Sequence, residues 1–211
     1  SILTEIKIAL MHAPFQHVET SSGPGCAAPA TEVATAYLAL TLRYVRCWFI
    51  KNKRDVFGDF HLNWSCNLGL PAAIDDDAKL RKTFNDVGKA AWLASRQKDP
   101  ITISTAKKAL EDLENSRFEA DDMPWDFQLL PEVIAEVIGY ARSKYRNEGL
   151  HLLVDIGAST LDVCSFILHK NDEEDDFSIL TADVGMFGAK YLHRSRIIRA
   201  EKAISAHAAK L

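Results

Sequence analysis

Between Thr31 and about Lys51, the residues Val33, Tyr37, Leu40, Tyr44, Cys47 and Trp48 return at three- and four-residue steps. That period predicts a helix with these positions on its buried face and Thr31 as its N-cap. Leu80, Phe84, Val87, Gly88 and Ala91 mark a second amphipathic helix, with Asp75, Asp76 and Asp77 just before it. Carboxylates at that place meet the positive end of the helix dipole, so a cap is expected rather than a metal cluster. Ala106, Ala109, Leu110 and Leu113 predict a short inward-facing helix from Ser104 to Asn115, inside a polar section from about Ser95 to Asp126. Trp125 closes that section and is expected to be a packed anchor, because no basic or aromatic array surrounds it. Pro131 suits the first turn of a helix, and Val133, Val137, Tyr140, Ala141 and Tyr145 then keep phase to about Arg146.

Elsewhere the pattern shortens to alternation or to brief apolar runs. Leu62 to Pro71 alternates and stops at proline, which predicts a strand, and Phe127 to Leu130 predicts another. Leu150 to Asp155, Leu161 to Leu168 and Phe177 to Val184 predict three strands of a meander. The run Asn171 to Asp176 is expected to be a solvated hairpin tip, since it lacks the alternation and central glycine of a calcium loop. Gly185 to Gly188 turns the chain into a last helix, from about Ala189 to Lys210. Ile2 to Met11 fits a short strand or a helix end, and His17 to Ala30 is a loop by composition.

At 211 residues the chain can form one large domain or two small lobes. Its apolar content of 47% and charged content of 26% are those of a soluble globular protein. The net charge of −4 supplies no basic footprint for nucleic acid and no argument for an anionic membrane, so neither is an expected partner. Cys26, Cys47, Cys66 and Cys164 are scattered, which argues against a zinc site or disulfide framework and for a reducing, cytoplasmic home. No apolar run approaches the roughly 20 residues that span a bilayer. The first residues lack a basic segment followed by an apolar one, so no secretory signal is expected there. The missing initiator Met fits either processing or excision from a longer protein. The seven histidines form no nucleophile–base arrangement.

The stretch richest in chemistry is Leu152 to Val163. An apolar run ends at Asp155, turns through Gly157-Ala158-Ser159-Thr160, and leaves through Leu161-Asp162-Val163. A tight turn of this kind exposes backbone N–H groups, and such a nest can hold a phosphate oxygen. Asp155 at the strand end has the chemistry to hold a hydrated Mg²⁺, an ion that keeps several waters and needs few carboxylates. An ordinary hairpin with a polar turn is the alternative.

This stretch resembles the second phosphate loop, Asp-x-Gly-Gly-Gly-Thr-x-Asp-Val, of the seventy-kilodalton heat-shock chaperones (DnaK type) and their actin-like relatives. Asp155, Gly157, Thr160, Asp162 and Val163 match, while Ala158 and Ser159 replace the second and third glycines. The resemblance extends in order from about Leu62 to Arg199. Gly69-Leu70-Pro71 looks like the strand that meets Val-Pro before an acid-capped helix. Leu129 to Tyr140 is similar to Asn-Glu-Pro-Thr-Ala-Ala-Ala-Ile-Ala-Tyr, and alignment on Tyr140 places Glu132 on the family's catalytic glutamate. Pro131 precedes the acid here, where the family's proline follows it. Gly185 to Tyr191 resembles the family's Gly-Asp-x-x-Leu-Gly-Gly turn less closely. The family's first phosphate loop has no counterpart before Leu62, and its adenosine loop would lie beyond Leu211.

The resemblance implies an α/β chain with the actin-like ATPase (ribonuclease H-like) fold: mixed sheets flanked by helices in an incomplete two-lobe arrangement. Residues 1–148 would form part of lobe I, with an insertion at 95–126 and the crossing helix at 132–146. Residues 149–211 would form part of lobe II and carry the phosphate hairpin. ATP or ADP with Mg²⁺ is the implied ligand. Gly157, Ala158, Ser159, Thr160 and Asp162 would face it, Asp155 would hold Mg²⁺ through water, and Glu132 would orient or deprotonate the attacking water. The parent protein would couple hydrolysis to a conformational switch, acting on a protein partner or peptide client through regions outside this chain. With half of the positioning groups missing, these 211 residues are expected to hydrolyse ATP poorly or not at all. Two other readings are a non-catalytic actin-like scaffold, favoured by Ala158, Ser159 and the missing loop, and another actin-like kinase, for which no substrate loop is assignable.

Overall fold

The computed structural model describes residues 6–19, 27–70, 77–169 and 177–208. The chain is α/β and divides into two compact units, the first extending to Leu130 and the second starting at Pro131. The described parts of the units meet at 130/131, so the helix after Pro131 groups with the hairpin. The apolar side of that helix packs on the hairpin's own strands, which is why it belongs to their unit.

In the first unit, α1 (Ile6–His12) resolves the ambiguity of the N-terminal segment in favour of a helix. β1 (His17–Glu19) and β2 (Ala27–Pro29) pair antiparallel where composition suggested only a loop; residues 20–26 lie outside the described residues. Then come α2 (Ala30–Asn52), α3 (Arg54–Phe57), β3 (Ser65–Leu70), α4 (Ala78–Arg96), α5 (Ile103–Glu114) and β4 (Asp126–Pro131), with β4 beside β3. The core is made largely of alanines: Ala39 of α2, Ala90, Ala91 and Ala94 of α4, and Ala109 of α5, with Leu93. Small side chains let helix backbones approach closely, and the larger Leu38, Leu42, Ile101, Leu110, Leu113 and Phe118 seal the margins. The section at 95–126 therefore supplies core through α5 and is not a loose addition.

This alanine packing overturns the expected face of α2. Its buried residues are Ala30, Thr31, Val33, Ala34, Thr35, Ala36 and Ala39, while Tyr37, Leu40, Tyr44, Cys47 and Trp48 are exposed. The helix is apolar on more than one side, so periodicity alone could not tell which side α4 would choose. Trp125 is likewise corrected. It is 78% exposed, and what ties it down is its backbone N–H, which donates to Trp64 O at 2.8 Å. The packed tryptophan is Trp92, whose Nε1–H donates to Asp122 O at 2.9 Å. Of the three aspartates before α4, Asp77 is the N-cap, accepting from the N–H groups of Lys79 and Leu80; Asp75 and Asp76 lie outside the described residues.

The second unit holds α6 (Glu132–Ala141), β5 (Gly149–Ile156), β6 (Leu161–Leu168), β7 (Phe177–Gly185) and α7 (Ala189–Ala208). The strands form the expected antiparallel meander in the order β5-β6-β7. The acidic run between β6 and β7 falls outside the described residues. Val133, Val137 and Ala141 of α6 pack on Cys164, Phe166 and Leu168 of β6, with Leu153 and Ala182 beside them. α6 stops earlier than its apolar phase suggested: the N–H of Arg142 still makes the helical bond to Ile138 O, but that of Ser143 tightens to Tyr140 O. Tyr145 is left 71% exposed rather than in phase.

Candidate functional site

The β5–β6 register sets Asp155 directly opposite Asp162, and Ile156 opposite Leu161. Opposed residues of an antiparallel pair share one sheet face, so the two carboxylates project side by side. The turn between the strands closes with the Gly157 N–H donating to Thr160 O at 3.0 Å.

The start of α7 lies against this turn. The N–H of Gly188 donates to Ser159 O at 3.2 Å, that of Ala189 to Gly157 O at 2.9 Å, and that of Lys190 to Ala158 O at 2.9 Å. Three consecutive carbonyls of the turn thus point toward α7. In a trans peptide the N–H points opposite to the carbonyl, and no cis bond occurs among the described residues. The N–H groups of Ala158, Ser159 and Thr160 are therefore directed away from α7, on one common side. Three amides so directed have the arrangement of a nest, in which a turn can take an anion.

The turn achieves this without left-handed backbone, since Ser116 and Gly149 are the described residues with positive φ. Ala158 and Ser159 therefore stand in place of glycine without conformational cost. Gly188 is the glycine the site depends on. A Cβ there would lie 2.4 Å from the carbonyl carbon of Ser159 and 2.5 Å from its nitrogen, so no side chain fits between the turn and α7. The sequence pointed to the segment from Gly185 to Tyr191 but not to this residue's role.

Glu132 opens α6 and lines a cavity of about 10 Å³ together with Glu136, Leu153, Asp162 and Cys164. That is close to the smallest space that holds one water. The structure thus brings Glu132 and Asp162 to one cavity and sets Asp155 across the strand from Asp162. Glu136 and Cys164 are additions that motif reasoning missed. Burial pushes the Cys164 thiol above its ordinary value, and the nearby Glu136 carboxylate adds to the effect. Among the described residues no group of three or more His, Cys, Asp or Glu is placed to hold a metal. The mode expected at Asp155, one carboxylate and several waters, needs no such group.

No family model matches the chain, and no curated protein matches it. No helix among the described residues is long and apolar enough to cross a membrane.

Proposed function

We propose that this chain carries the phosphate-gripping half of a DnaK-like, actin-type nucleotide-binding domain, with ATP or ADP and Mg²⁺ as ligands. The observation that carries the reading is the anion nest of Ala158, Ser159 and Thr160, fixed from behind by the N–H groups of Gly188, Ala189 and Lys190. These amides would take phosphate oxygens, and the Thr160 hydroxyl would add a donor. Asp155 would hold hydrated Mg²⁺ through water. Its position opposite Asp162 supports this, because like charges facing each other across strands are unfavourable unless a cation offsets them. The ion would neutralise charge on the phosphates, the main requirement of phosphoryl transfer. Glu132 would orient a water from the cavity that it shares with Asp162. In the parent protein this chemistry would drive a conformational switch read by a protein partner or peptide client.

Calorimetric titration with ADP and ATP, with and without Mg²⁺, tests the reading. Mg²⁺-dependent binding that is lost in Asp155→Ala and weakened in Thr160→Val is the expected result. A chain that melts cooperatively yet binds no nucleotide at millimolar concentration would overturn it. The second reading is a non-catalytic interaction module, favoured by the exposed apolar side chains of α2 and β5.

A further inference from the structure

A cavity of about 290 Å³ lies in the first unit, and among the described residues its lining comes from one stretch, 93–122. That size is near the lower end, roughly 300 Å³, of small-molecule sites. Leu93 of α4 and Ala109 of α5, both buried, form its apolar wall with Phe118. One turn beyond each of the first two stands a charged residue of the same helix, Arg96 on α4 and Asp112 on α5. Arg117 and Asp122 add a second charge of each sign. Among the described residues none of these four side chains makes an ion pair, and those of Arg96, Asp112 and Arg117 make no hydrogen bond.

The backbone places these charges. The N–H of Arg117 donates to Asp112 O at 2.7 Å and that of Ser116 to Leu113 O at 3.1 Å, the Schellman ending of a helix. Glycine or asparagine usually takes the left-handed position of that ending, yet here Ser116 holds it with φ 54°. A strained residue thus folds Arg117 back beside Asp112. Asp122 is tied twice. Its carbonyl accepts from Trp92 Nε1–H at 2.9 Å and its Oδ2 from the Glu119 N–H at 3.2 Å, which leaves Oδ1 for a ligand. Arg96 is not needed to cap α4, because Arg43 already takes the carbonyls there. Burial pushes the Arg46 guanidinium below its ordinary value and the nearby charge of Arg96 adds to the effect, so an anion at Arg96 would relieve a repulsion.

We propose that this cavity binds a free α-amino acid with an apolar side chain. The carboxylate of the amino acid pairs with Arg96 and Arg117, its ammonium with Asp112 and Asp122, and its side chain packs on Leu93, Ala109 and Phe118. Both pairings are charge-assisted, the strong class of hydrogen bond. A simple anion would meet the like charge of two aspartates, and a simple cation that of two arginines. A zwitterion meets neither penalty, because each of its charges has partners in the lining. The apolar wall then favours an apolar side chain over a polar one, whose groups would be left without hydrogen bonds there. The site is separate from the phosphate turn, which belongs to the second unit.

Calorimetric titration of the whole chain with L-leucine and with L-phenylalanine tests this. Saturable binding of at least one of them is expected, weaker by about tenfold or more in Arg117→Gln and in Asp112→Asn. Both variants should stay folded by circular dichroism. The Arg117 side chain holds nothing in place, and Asp112 stands in the last turn of α5, where the helix dipole disfavours a carboxylate. The N-acetyl derivative of the same amino acid lacks the ammonium and the amide derivative lacks the carboxylate, so each should bind about tenfold or more weakly than the parent. Absence of binding by both amino acids at millimolar concentration overturns the proposal. So does binding that either derivative reproduces in full, or that the two folded variants leave unchanged.

Discussion

Gly188 shows how one absent side chain can hold a site together. The α7 N–H groups reach three carbonyls of the turn only because nothing lies between them, and a Cβ would penetrate the Ser159 backbone. Gly188→Ala is therefore expected to cost about 1–3 kcal/mol, as overpacking does. On the proposed reading the amides of this turn take phosphate, so nucleotide binding should also fall by more than the loss of stability explains. Denaturant melts compared with titration at a temperature where the variant remains folded check both parts. The hairpin turn between Asp155 and Asp162 was legible in the sequence because a loop of fixed spacing carries it. Gly188 was not, since its importance is a through-space approach to Ser159 that no local pattern encodes.

A second prediction at this scale concerns thiols. Cys47 is exposed, while Cys164 is buried and its thiol is raised above the ordinary value of 9.0 by burial and then by Glu136. Cys66 is raised by burial as well. Among Cys47, Cys66 and Cys164, alkylation near neutral pH should modify Cys47 first and Cys164 last. The unfolded thiols ionise before the folded ones, so their contribution to stability is complete below the ordinary value and is lost as pH rises through the folded values. Unfolding free energy should decline above about pH 9, and Cys164→Ala should flatten that decline. An equal slope in both chains would show that Cys164 is not its source.

Among the elements, α4 is fixed at both ends by side chains of different kinds. At its start Asp77 accepts from two N–H groups, and Asp77→Ala should lower stability by about 1 kcal/mol. At its end the guanidinium of Arg43, reaching over from α2, donates to the carbonyls of Ala94, Ser95, Gln97 and Asp99. Lysine keeps the charge but not the fork, so Arg43→Lys should cost about 1.5–3 kcal/mol, read as a shift in the denaturant midpoint. The Asp77 cap was readable because caps are local in sequence. The Arg43 bonds span a long sequence interval and gave no signal. The same division explains the elements as a whole. The β5–β6 hairpin was legible from two apolar runs on either side of a small-residue turn, and α4 and α5 because a single apolar face defines each. α2 was located correctly but turned the wrong way, because its alanines and its aromatics offer two apolar faces and only the alanine face lets α4 come close.

At the scale of the molecule, each unit has its own core and each also exposes apolar side chains: Tyr37, Leu40, Tyr44 and Trp48 on α2 in the first, and the outer face of β5 in the second. Net charge opposes contact between such faces on different copies. The chain carries −4 at pH 7 and is neutral near pH 6.0. As pH falls from 8 toward 6 the remaining negative charge is lost and with it the repulsion between copies. Static light scattering should therefore rise to a maximum near pH 6 and fall again on return to pH 8. Added salt should raise the scattering at pH 8, where repulsion still operates, and change it little near neutrality. Val154→Lys and Tyr44→Glu test the two faces separately. Each should lower the maximum near the isoelectric point, because each places a charge in one exposed apolar face. A maximum unchanged in both variants would show that neither face drives the association.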